Sequence, residues 1–317
     1  MKNFKLKKGI STVYPITNEK DFYDLTGGRR PYMETGKDGK KRAFGICPGC
    51  DNPIQIVGLY YPVKNTDKPY GKHYNRDAPI AKHNENAYRF CPYAENTYTI
   101  TEYRNKEITT EFEAGIYYTL RKNFDLAVFL MEKVSGLYIS DKLAKEILKS
   151  YVNAAGYLYY GSTYYNLPWM LLYVYTMPAK NCFGLIVKKD SLLYDMFSGI
   201  KDICLEPLDR KPGYYRVKGN ECFIDYQLSF GSHERKIVND EVEETLKVDI
   251  TTEKGCTGNE VYKIVNENTL SINERRFPSL INSEKAQTYR DIPRNQGLRK
   301  IAQEIMPDLP DFPDPTT

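Results

Sequence analysis

A chain of 317 residues with a hydrophobic content of 41% is long enough for two or three domains and too apolar for a disordered protein. The net charge is only +4, but residues 1–100 hold 17 Lys and Arg against 10 Asp and Glu, net +7, and the remainder is net −3. This asymmetry favours an acidic partner such as nucleic acid, although it falls short of a strongly basic DNA-binding domain.

Cysteine content and hydropathy predict the cellular compartment of the protein. The seven cysteines form an odd set, and the lysine-rich start lacks the apolar core of a secretory signal, so we expect a reducing cytoplasm. The most apolar run, residues 167–177, is too short to cross a bilayer and is closed by Pro178. It predicts a buried core segment.

The first predicted elements, over residues 1–46, are irregular strands and turns. Residues 27–31 and 36–42 combine turn residues with cations, and the second stretch resembles a hairpin tip leading into a strand at 43–46. A basic hairpin can lie along a phosphate backbone, or it can be a solvated turn. The candidate nucleic-acid contacts here are Arg29, Arg30, Lys40, Lys41 and Arg42.

A cysteine and histidine grouping follows. Cys47-Pro-Gly-Cys50 is a tight turn that aims two thiolates to one side, and Cys91 with two histidines comes within about forty residues. Thiolate and imidazole ligands suit a tetrahedral Zn²⁺ site. We predict structural zinc held by Cys47, Cys50, His73 and Cys91, with His73 in a polar loop over 62–83 and His83 as the alternative fourth ligand.

Three other interpretations of this grouping remain open. The cysteines could be reduced core residues, or Cys47 and Cys50 could form a redox pair, which requires a helix to begin at the motif. His83-Asn-Glu85 matches half of the zinc-deaminase signature, but its order relative to the Cys-x-x-Cys is reversed, and a third cysteine would close the position that a catalytic water needs.

The next elements are a strand at 54–61, a helical turn at 85–90, a strand at 98–103 and three helices at 111–121, 123–134 and 141–155. Thr110 and Glu113 form a capping box, Gly136 is a left-handed C-cap, and Ser140 is an N-cap. The last two helices fit a helix-turn-helix, in which Lys142, Lys145 and Lys149 would contact DNA. The alternative is an ordinary helix pair with lysines on its wet face.

The tyrosine-rich run at 157–178 predicts a core seam, with stacking on unpaired bases as the alternative. The spacing of apolar residues then changes towards a period of two, which predicts antiparallel strands at 214–217, 222–230, 245–252 and 261–265. Paired carboxylates and a lysine there could form a metal-dependent nuclease, although their spacing does not support it. His233 is expected at a surface turn. The nuclease candidates are Asp225, Asp249, Glu253 and Lys254.

These elements predict an α+β fold with an N-terminal zinc-ribbon or treble-clef-like module, a central helical region and a C-terminal antiparallel β domain. The expected boundaries are 1–108 for the zinc module, 109–210 for the helical region and 211–305 for the β domain with its C-terminal helix. The Pro/Asp-rich residues 306–317 predict a disordered tail.

Four segments together carry a resemblance: Cys47-Pro-Gly-Cys50, Gly71-Lys-His73, Cys91-Pro-Tyr and Tyr160-Gly-Ser-Thr-Tyr-Tyr-Asn-Leu-Pro-Trp169. The chain resembles uncharacterised bacterial proteins that travel with mobile genetic elements. Such proteins carry no established activity to transfer. The resemblance implies a context only, because proteins of mobile elements often handle DNA or take part in conflict between host and phage.

The function that these features favour is a zinc-stabilised cytoplasmic protein that binds nucleic acid. The first alternative is an adaptor or inhibitor that binds a protein partner and uses zinc only structurally, and the second is the nuclease. No residue is assigned a catalytic role, no membrane contact is expected, and we expect binding rather than catalysis.

Overall fold

The computed structural model describes residues 1–9, 12–64, 66, 68–94, 104–219, 225–239, 241–252 and 263–313. The fold is a mixed α+β fold with several antiparallel sheets. The chain forms two compact units: Met1–Ile100 with Arg235–Glu243, and Thr101–Glu234 with Glu244–Thr317. The predicted segments 109–210 and 211–305 therefore contribute mainly to one unit.

The first unit is built from short strands and two helices. Its elements in chain order are β1 (Asn3–Phe4), β2 (Tyr14–Pro15), α1 (Glu19–Thr26), β3 (Met33–Thr35), β4 (Lys41–Ile46), β5 (Pro53–Val57), β6 (Tyr70–His73) and α2 (Glu85–Arg89). The predicted strand at 43–46 is present in β4, and the predicted helical turn at 85–90 is α2. The predicted strand at 98–103 lies outside the described residues.

An antiparallel sheet in the order β3-β4-β5-β6 organises this unit. Its core side chains are fully or almost fully buried: Phe44, Ile46, Ile54 and Ile56. A Cβ added at Gly45 would lie 2.7 Å from the Phe4 ring, so glycine lets β1 lie against β4. Lys5 continues this contact by exchanging backbone hydrogen bonds with Ile46 at 2.8 and 2.9 Å.

The second unit contains most of the helices. Its helices and strands are α3 (Glu111–Lys122), α4 (Phe124–Ser135), α5 (Asp141–Asn153), a 3₁₀ turn (Gly156–Leu158), α6 (Leu167–Tyr175), β7 (Lys180–Asn181), β8 (Ile186–Lys188), α7 (Leu192–Ser198), β9 (Ile203–Pro207), β10 (Tyr214–Gly219), β11 (Tyr226–Val238), β12 (Glu241–Thr252), β13 (Lys263–Ile272), α8 (Arg276–Ile281), α9 (Glu284–Arg290) and α10 (Pro293–Ile305).

The helix-capping predictions are confirmed. Thr110 and Glu113 form the capping box of α3, Gly136 ends α4 with φ +80°, and the Ser140 side chain accepts from the Leu143 amide at the start of α5. The N-caps satisfy amide groups, and the C-cap satisfies a carbonyl group, that would otherwise lack a partner at the helix ends. These helix boundaries follow from local chemistry.

Helix α6 lies in the core of the second unit, as the apolar run predicts. Every residue from Leu167 to Val174 is buried, and Pro168 occupies the first turn, where its missing N–H has no helical partner to lose. Tyr159, Tyr165 and Tyr173 are also buried, which supports the core-seam interpretation of the tyrosine-rich run. Among the helices of the described residues, none is long and apolar enough to span a membrane.

Two antiparallel sheets complete the second unit. One has the order β8-β10-β9, and the other has the order β13-β12-β11-β7, with the tip of its β11–β12 hairpin assigned to the first unit. Strand β11 begins at Tyr226, and residues 222–224 of the predicted strand lie outside the described residues. Strand β13 starts at Lys263 and runs beyond the predicted end to Ile272.

The Pro/Asp-rich tail differs from its prediction over residues 307–313. The Tyr117 hydroxyl donates to the Pro307 carbonyl at 2.8 Å, and the Tyr118 hydroxyl donates to the Phe312 carbonyl at 2.7 Å. Burial raises the pKa of Tyr117 to about 12, so its phenol keeps the proton that it donates. Composition alone predicted disorder because it does not show that two tyrosines of α3 hold this segment. Residues 314–317 lie outside the described residues.

Candidate metal centre

The turn between β4 and β5 carries both cysteines of the Cys-x-x-Cys motif. The Asp51 amide donates to the Cys47 carbonyl at 3.2 Å, and the Cys47 amide donates to the Asn52 carbonyl at 2.8 Å. The Gly49 amide donates to Cys47 Sγ at 3.4 Å. A Cβ at Gly49 would lie 3.2 Å from Cys91 Sγ, so glycine leaves space for the third sulfur.

The sheet and α2 supply the other two side chains. His73 is the last residue of β6 and pairs with Ile54 of β5, so it lies on a strand and not in the predicted loop. Cys91 follows α2, and its amide donates to the Tyr88 carbonyl at 3.0 Å. The Tyr88 ring packs edge-on against the His73 imidazole with centroids 5.0 Å apart. These contacts orient the imidazole towards the cysteines.

The four predicted ligands meet at one point. The ligand atoms of Cys47, Cys50, His73 and Cys91 all lie within 4.8 Å of one another. Cys47 Sγ is 3.6 Å from Cys91 Sγ, and Cys50 Sγ is 3.4 Å from His73 Nε2. A tetrahedral ion with metal–sulfur bonds of about 2.3 Å places its sulfurs about 3.8 Å apart. The separations are therefore compatible with a shared metal ion and too long for a disulfide of about 2.05 Å.

The thiols of this cluster differ in their pKa. Burial alone would raise the pKa of Cys50, but hydrogen bonds from the other two thiols and from His73 stabilise its thiolate and hold that pKa well below the usual value. Burial raises the pKa of Cys47 and Cys91 well above the usual value. Buried together, the thiols resist carrying several negative charges, and a bound cation is the group that would favour all three thiolates.

Asn52 supports the cluster from behind. Its Nδ2 donates to Cys50 Sγ at 3.3 Å and to the Asn84 carbonyl at 3.0 Å, and its Oδ1 accepts from the Asn84 amide at 2.6 Å. The Asn84 side chain in turn caps α2 by accepting from the Ala87 amide at 2.9 Å. One buried asparagine thereby joins the cysteine turn to the helix that precedes Cys91. Such supporting contacts orient metal ligands.

Asp51 ties the same turn to the amino-terminal segment. It adopts a left-handed conformation with φ +58°, which aspartate tolerates better than most residues. Its carboxylate forms a buried ion pair with Lys5 at 2.5 Å and accepts from the Gly9 amide at 2.9 Å. The turn is therefore held on both sides of its sharp bend.

His83 lies outside the cluster. Its Nε2 is 3.1 Å from Glu85 Oε2, and its ring packs against the Tyr88 ring with centroids 5.8 Å apart. The His83–Glu85 pair therefore does not join the cysteines as a deaminase site would. The redox interpretation also fails, because the Cys-x-x-Cys turn leads into β5 and not into a helix.

The predicted nucleic-acid contacts fall into two sets that belong to different units. Arg29, Arg30, Lys40 and Lys41 are exposed in the first unit, whereas Arg42 is half-buried and pairs with Asp38 at 3.3 Å. Lys142, Lys145 and Lys149 lie on the exposed face of α5 in the second unit. The helix-turn-helix assignment of α4 and α5 remains a prediction.

The nuclease candidates do not assemble within the described ranges. Asp225 is exposed and accepts from Asn181 Nδ2 at 3.3 Å, and Asp249 of β12 lies opposite Glu267 of β13. Glu253 and Lys254 lie outside those ranges. Apart from the cysteine and histidine cluster, no group of three or more His, Cys, Asp and Glu in this part of the chain has a metal-binding arrangement.

The prediction that His233 is a surface residue is wrong. His233 and Glu244 are buried, with His233 Nε2 2.6 Å from Glu244 Oε1 and His233 Nδ1 2.9 Å from the Tyr159 hydroxyl. Asn166 Nδ2 donates to Glu244 Oε1 at 2.7 Å and to the Gly161 carbonyl at 2.7 Å. The buried face of β11 changes phase after Phe230, where Ser232 has φ +44°, so that His233 and not Ser232 is buried although its neighbours in sequence are polar.

This second group of side chains, Tyr159, Asn166, His233 and Glu244, is named the buried histidine network. His233 Nε2 lies against the Glu244 carboxyl group, and Nδ1 lies against the Tyr159 hydroxyl. Both ring nitrogens are then engaged by protein groups, and neither is available to a metal. The arrangement holds the loop between the 3₁₀ turn and α6 against β11 and β12.

No family model, curated protein or solved structure matches this chain. The resemblance to mobile-element proteins remains a prediction from sequence. The candidate site accordingly stands on its own geometry.

Proposed function

We propose that the first unit binds one structural Zn²⁺ ion through Cys47, Cys50, His73 and Cys91, in the manner of a zinc ribbon, and that the unit binds nucleic acid. The observation that carries the metal assignment is the convergence of four ligand atoms within 4.8 Å. Three thiolates and an imidazole form a ligand set that favours tetrahedral Zn²⁺ over Mg²⁺ or Ca²⁺, which prefer oxygen.

A structural role follows from the number of ligands. Catalytic zinc needs an open coordination position for water, whereas four protein ligands close the coordination shell. The three cysteines are buried and the histidine is half-buried, which limits the access of substrate. The role of the ion is then to hold the β4–β5 turn, the end of β6 and the residue after α2 together.

The nucleic-acid assignment rests on charge. Residues 1–100 carry a net charge of +7, and the β3–β4 hairpin and the segment after α1 present exposed Lys40, Lys41, Arg29 and Arg30. Clustered cations of this kind neutralise phosphates and release counterions. A zinc-held sheet gives them a rigid support. The exposed lysines of α5 are the second candidate set.

Metal analysis tests the first part. We expect purified protein to contain one equivalent of zinc by inductively coupled plasma mass spectrometry and Cys50→Ser to contain much less. Cys204→Ser is the matched control, because it makes the same chemical change at an exposed cysteine of the second unit. Zinc-free wild-type protein that keeps the fold of its first unit would refute the assignment.

Salt-dependent binding tests the second part and separates the two cation sets. We expect labelled DNA and RNA to bind wild-type protein at low salt, with an affinity that falls as salt rises. Lys40→Ala with Lys41→Ala should lower the slope of log affinity against log salt by about one per lost phosphate contact. The triple alanine variant at Lys142, Lys145 and Lys149 is the comparison.

A larger effect of the α5 variant would transfer the binding role to the second unit. An absence of binding at low salt would overturn the nucleic-acid assignment and favour the alternative in which the zinc unit docks to a protein partner. Cytoplasmic location and a mobile-element context are compatible with the proposal and are not needed for it.

A further inference from the structure

The β3–β4 hairpin and the loop after β5 meet at one exposed place in the first unit. The Lys41 amide donates to the Tyr61 hydroxyl at 3.3 Å, and Lys41 Nζ lies 5.8 Å from the centroid of the Tyr60 ring. Lys40 is the exposed neighbour of Lys41 in the hairpin tip. We call Lys40, Lys41, Tyr60 and Tyr61 the tyrosine–lysine surface.

Tyr61 is unusually exposed for this protein. The chain has 28 tyrosines. Among the described residues, Tyr61 and Tyr23 are the only exposed aromatic side chains, with 49% and 60% of their surface accessible to solvent. Both lie in the first unit, which is also the basic unit. Aromatic rings left in water beside cations are typical of binding surfaces, since burial in the core would otherwise stabilise the fold.

Tyr23 extends the same chemistry along α1. It lies one helical turn after Glu19, and residues at i and i+4 share a helix face. Burial and the charge of Glu19 raise the pKa of Tyr60. The Tyr23 ring packs on Gly28, where an added Cβ would lie 2.4 Å from it. The first unit thus has a second exposed ring, on a helix that is followed in sequence by Arg29 and Arg30.

We propose that the tyrosine–lysine surface binds an unpaired stretch of nucleic acid, with bases stacking on Tyr61 and phosphates contacting Lys40 and Lys41. This inference rests on the proposed function and specifies its substrate class. Aromatic rings stack on any base because every base has a π-face, and flanking amines follow the backbone. Duplexes hide their base faces inside the helix, so the rings would add nothing to duplex binding.

The test compares unpaired and paired probes with variants of the full-length protein. The probes are fluorescein-labelled oligothymidylate and oligouridylate of about 20 nucleotides, a length that exceeds one stacking site, and a mixed-sequence DNA duplex of similar length. The variants are Tyr61→Ala and Tyr61→Phe, where phenylalanine keeps the ring but loses the hydroxyl. Ile108→Ala is the control for removing an exposed apolar side chain, since Ile108 is 65% exposed in the second unit.

Wild-type protein should bind the unpaired probes more tightly than the duplex. Tyr61→Ala should weaken unpaired binding about tenfold or more without changing the salt slope, because stacking releases no counterions. Tyr61→Phe and Ile108→Ala should stay within about twofold of wild type on both probe types. The zinc content of every variant should equal that of wild type, which verifies that the fold is kept. Oligothymidylate and oligouridylate distinguish DNA from RNA as the source of the unpaired strand.

The outcomes separate this inference from the proposed function. Equal binding of duplex and unpaired probes, with no loss in Tyr61→Ala, would overturn the stacking surface and leave the nucleic-acid function standing. A similar loss in Tyr61→Phe would also overturn it, because the hydroxyl and not the ring would then be responsible. Failure of wild-type protein to bind any probe would overturn both.

Discussion

A half-buried histidine in the first compact unit and a buried histidine in the second have opposite chemical surroundings. His73 Nε2 lies 3.4 Å from Cys50 Sγ, and the neighbouring sulfurs lie 3.6 Å apart. His233 lies between a phenol and a carboxylate at 2.9 and 2.6 Å. Thiols are weak hydrogen-bond partners, whereas the hydroxyl and the carboxylate complement both imidazole nitrogens. The surroundings of His73 are compatible with a bound cation, whereas both ring nitrogens of His233 already have protein partners.

This difference explains why the cysteine and histidine cluster indicates a bound ligand, whereas the buried histidine network indicates a role in the stability of the fold. Three adjacent buried thiols form only weak hydrogen bonds with one another, whereas a shared metal ion would bind all three strongly as thiolates. The buried histidine network instead stabilises a loop by pairing every strong donor with an acceptor. If the two clusters have these different roles, substitutions in each should have separate effects on metal binding and on stability.

Metal removal should have the largest effect, and only on the first unit. Structural zinc contributes about 10–16 kcal/mol of apparent binding free energy in zinc-finger peptides, and that energy is folding energy. We expect a strong chelator to abolish hydrogen-exchange protection in β3 to β6 while α4 and α6 keep theirs, as followed by mass spectrometry. Retained protection in β3 to β6 with no bound metal would contradict a structural ion.

Truncation of the second histidine should have the next largest effect. His233→Ala removes one partner of a buried pair with the Glu244 carboxyl group, and removing one partner of a buried ion pair costs about 3–5 kcal/mol. Urea denaturation monitored by circular dichroism measures the loss, and the zinc content should not change. Glu206→Ala is the control, because the exposed Glu206–Lys218 pair at 2.7 Å contributes only about 0–1 kcal/mol. Equal losses in both variants would show that burial is not the cause.

The two supporting asparagines should separate the clusters further. Asn52→Ala removes the donor to Cys50 Sγ, and we expect metal affinity to fall about 10- to 100-fold in competition with a chromogenic chelator. Asn166→Ala removes donors to Glu244 and the Gly161 carbonyl, so it should reduce the stability of the second unit and leave metal affinity unchanged. A metal effect from Asn166→Ala would show that the two clusters are not independent.

The histidine outside the cluster should give the smallest effect. His83→Ala should change metal affinity by less than about twofold and stability by less than about 1 kcal/mol, because its Glu85 partner is exposed. His73→Ala should lose metal, and His73→Cys should retain it, because four cysteines also form a tetrahedral zinc site. Loss of metal in His83→Ala with retention in His73→Ala would exchange the two assignments.

The candidate metal ligands could be predicted because two of them belong to one local motif and all four are residue types that bind the same kind of ion. Cys47 and Cys50 belong to one turn, and thiolates with imidazole form a recognisable ligand set. The caps at Thr110, Ser140 and Gly136 were predictable for the same reason, since each acts within its own helix turn. The choice of His73 over His83 also agrees with the geometry, although the strand that carries His73 was not predicted.

The buried histidine network could not be predicted. Tyr159 and His233 are separated by 74 residues, and Asn166 and Glu244 by 78, so no local pattern relates them. The polar neighbours Ser232 and Glu234 made His233 resemble a surface residue. The contacts of residues 307–312 were missed for a similar reason, because their partners on α3 lie about 190 residues earlier in the chain.

Residue type and short spacing were sufficient to predict the ligand set of the candidate metal centre, the helix caps and the basic character of the first third of the chain. The burial of His233 and the exposure of Tyr61 and Tyr23 could be seen only in the folded structure. Burial of one tyrosine or histidine among many depends on which strands and loops pack together, and that packing is a property of long-range contacts rather than of the neighbouring residues.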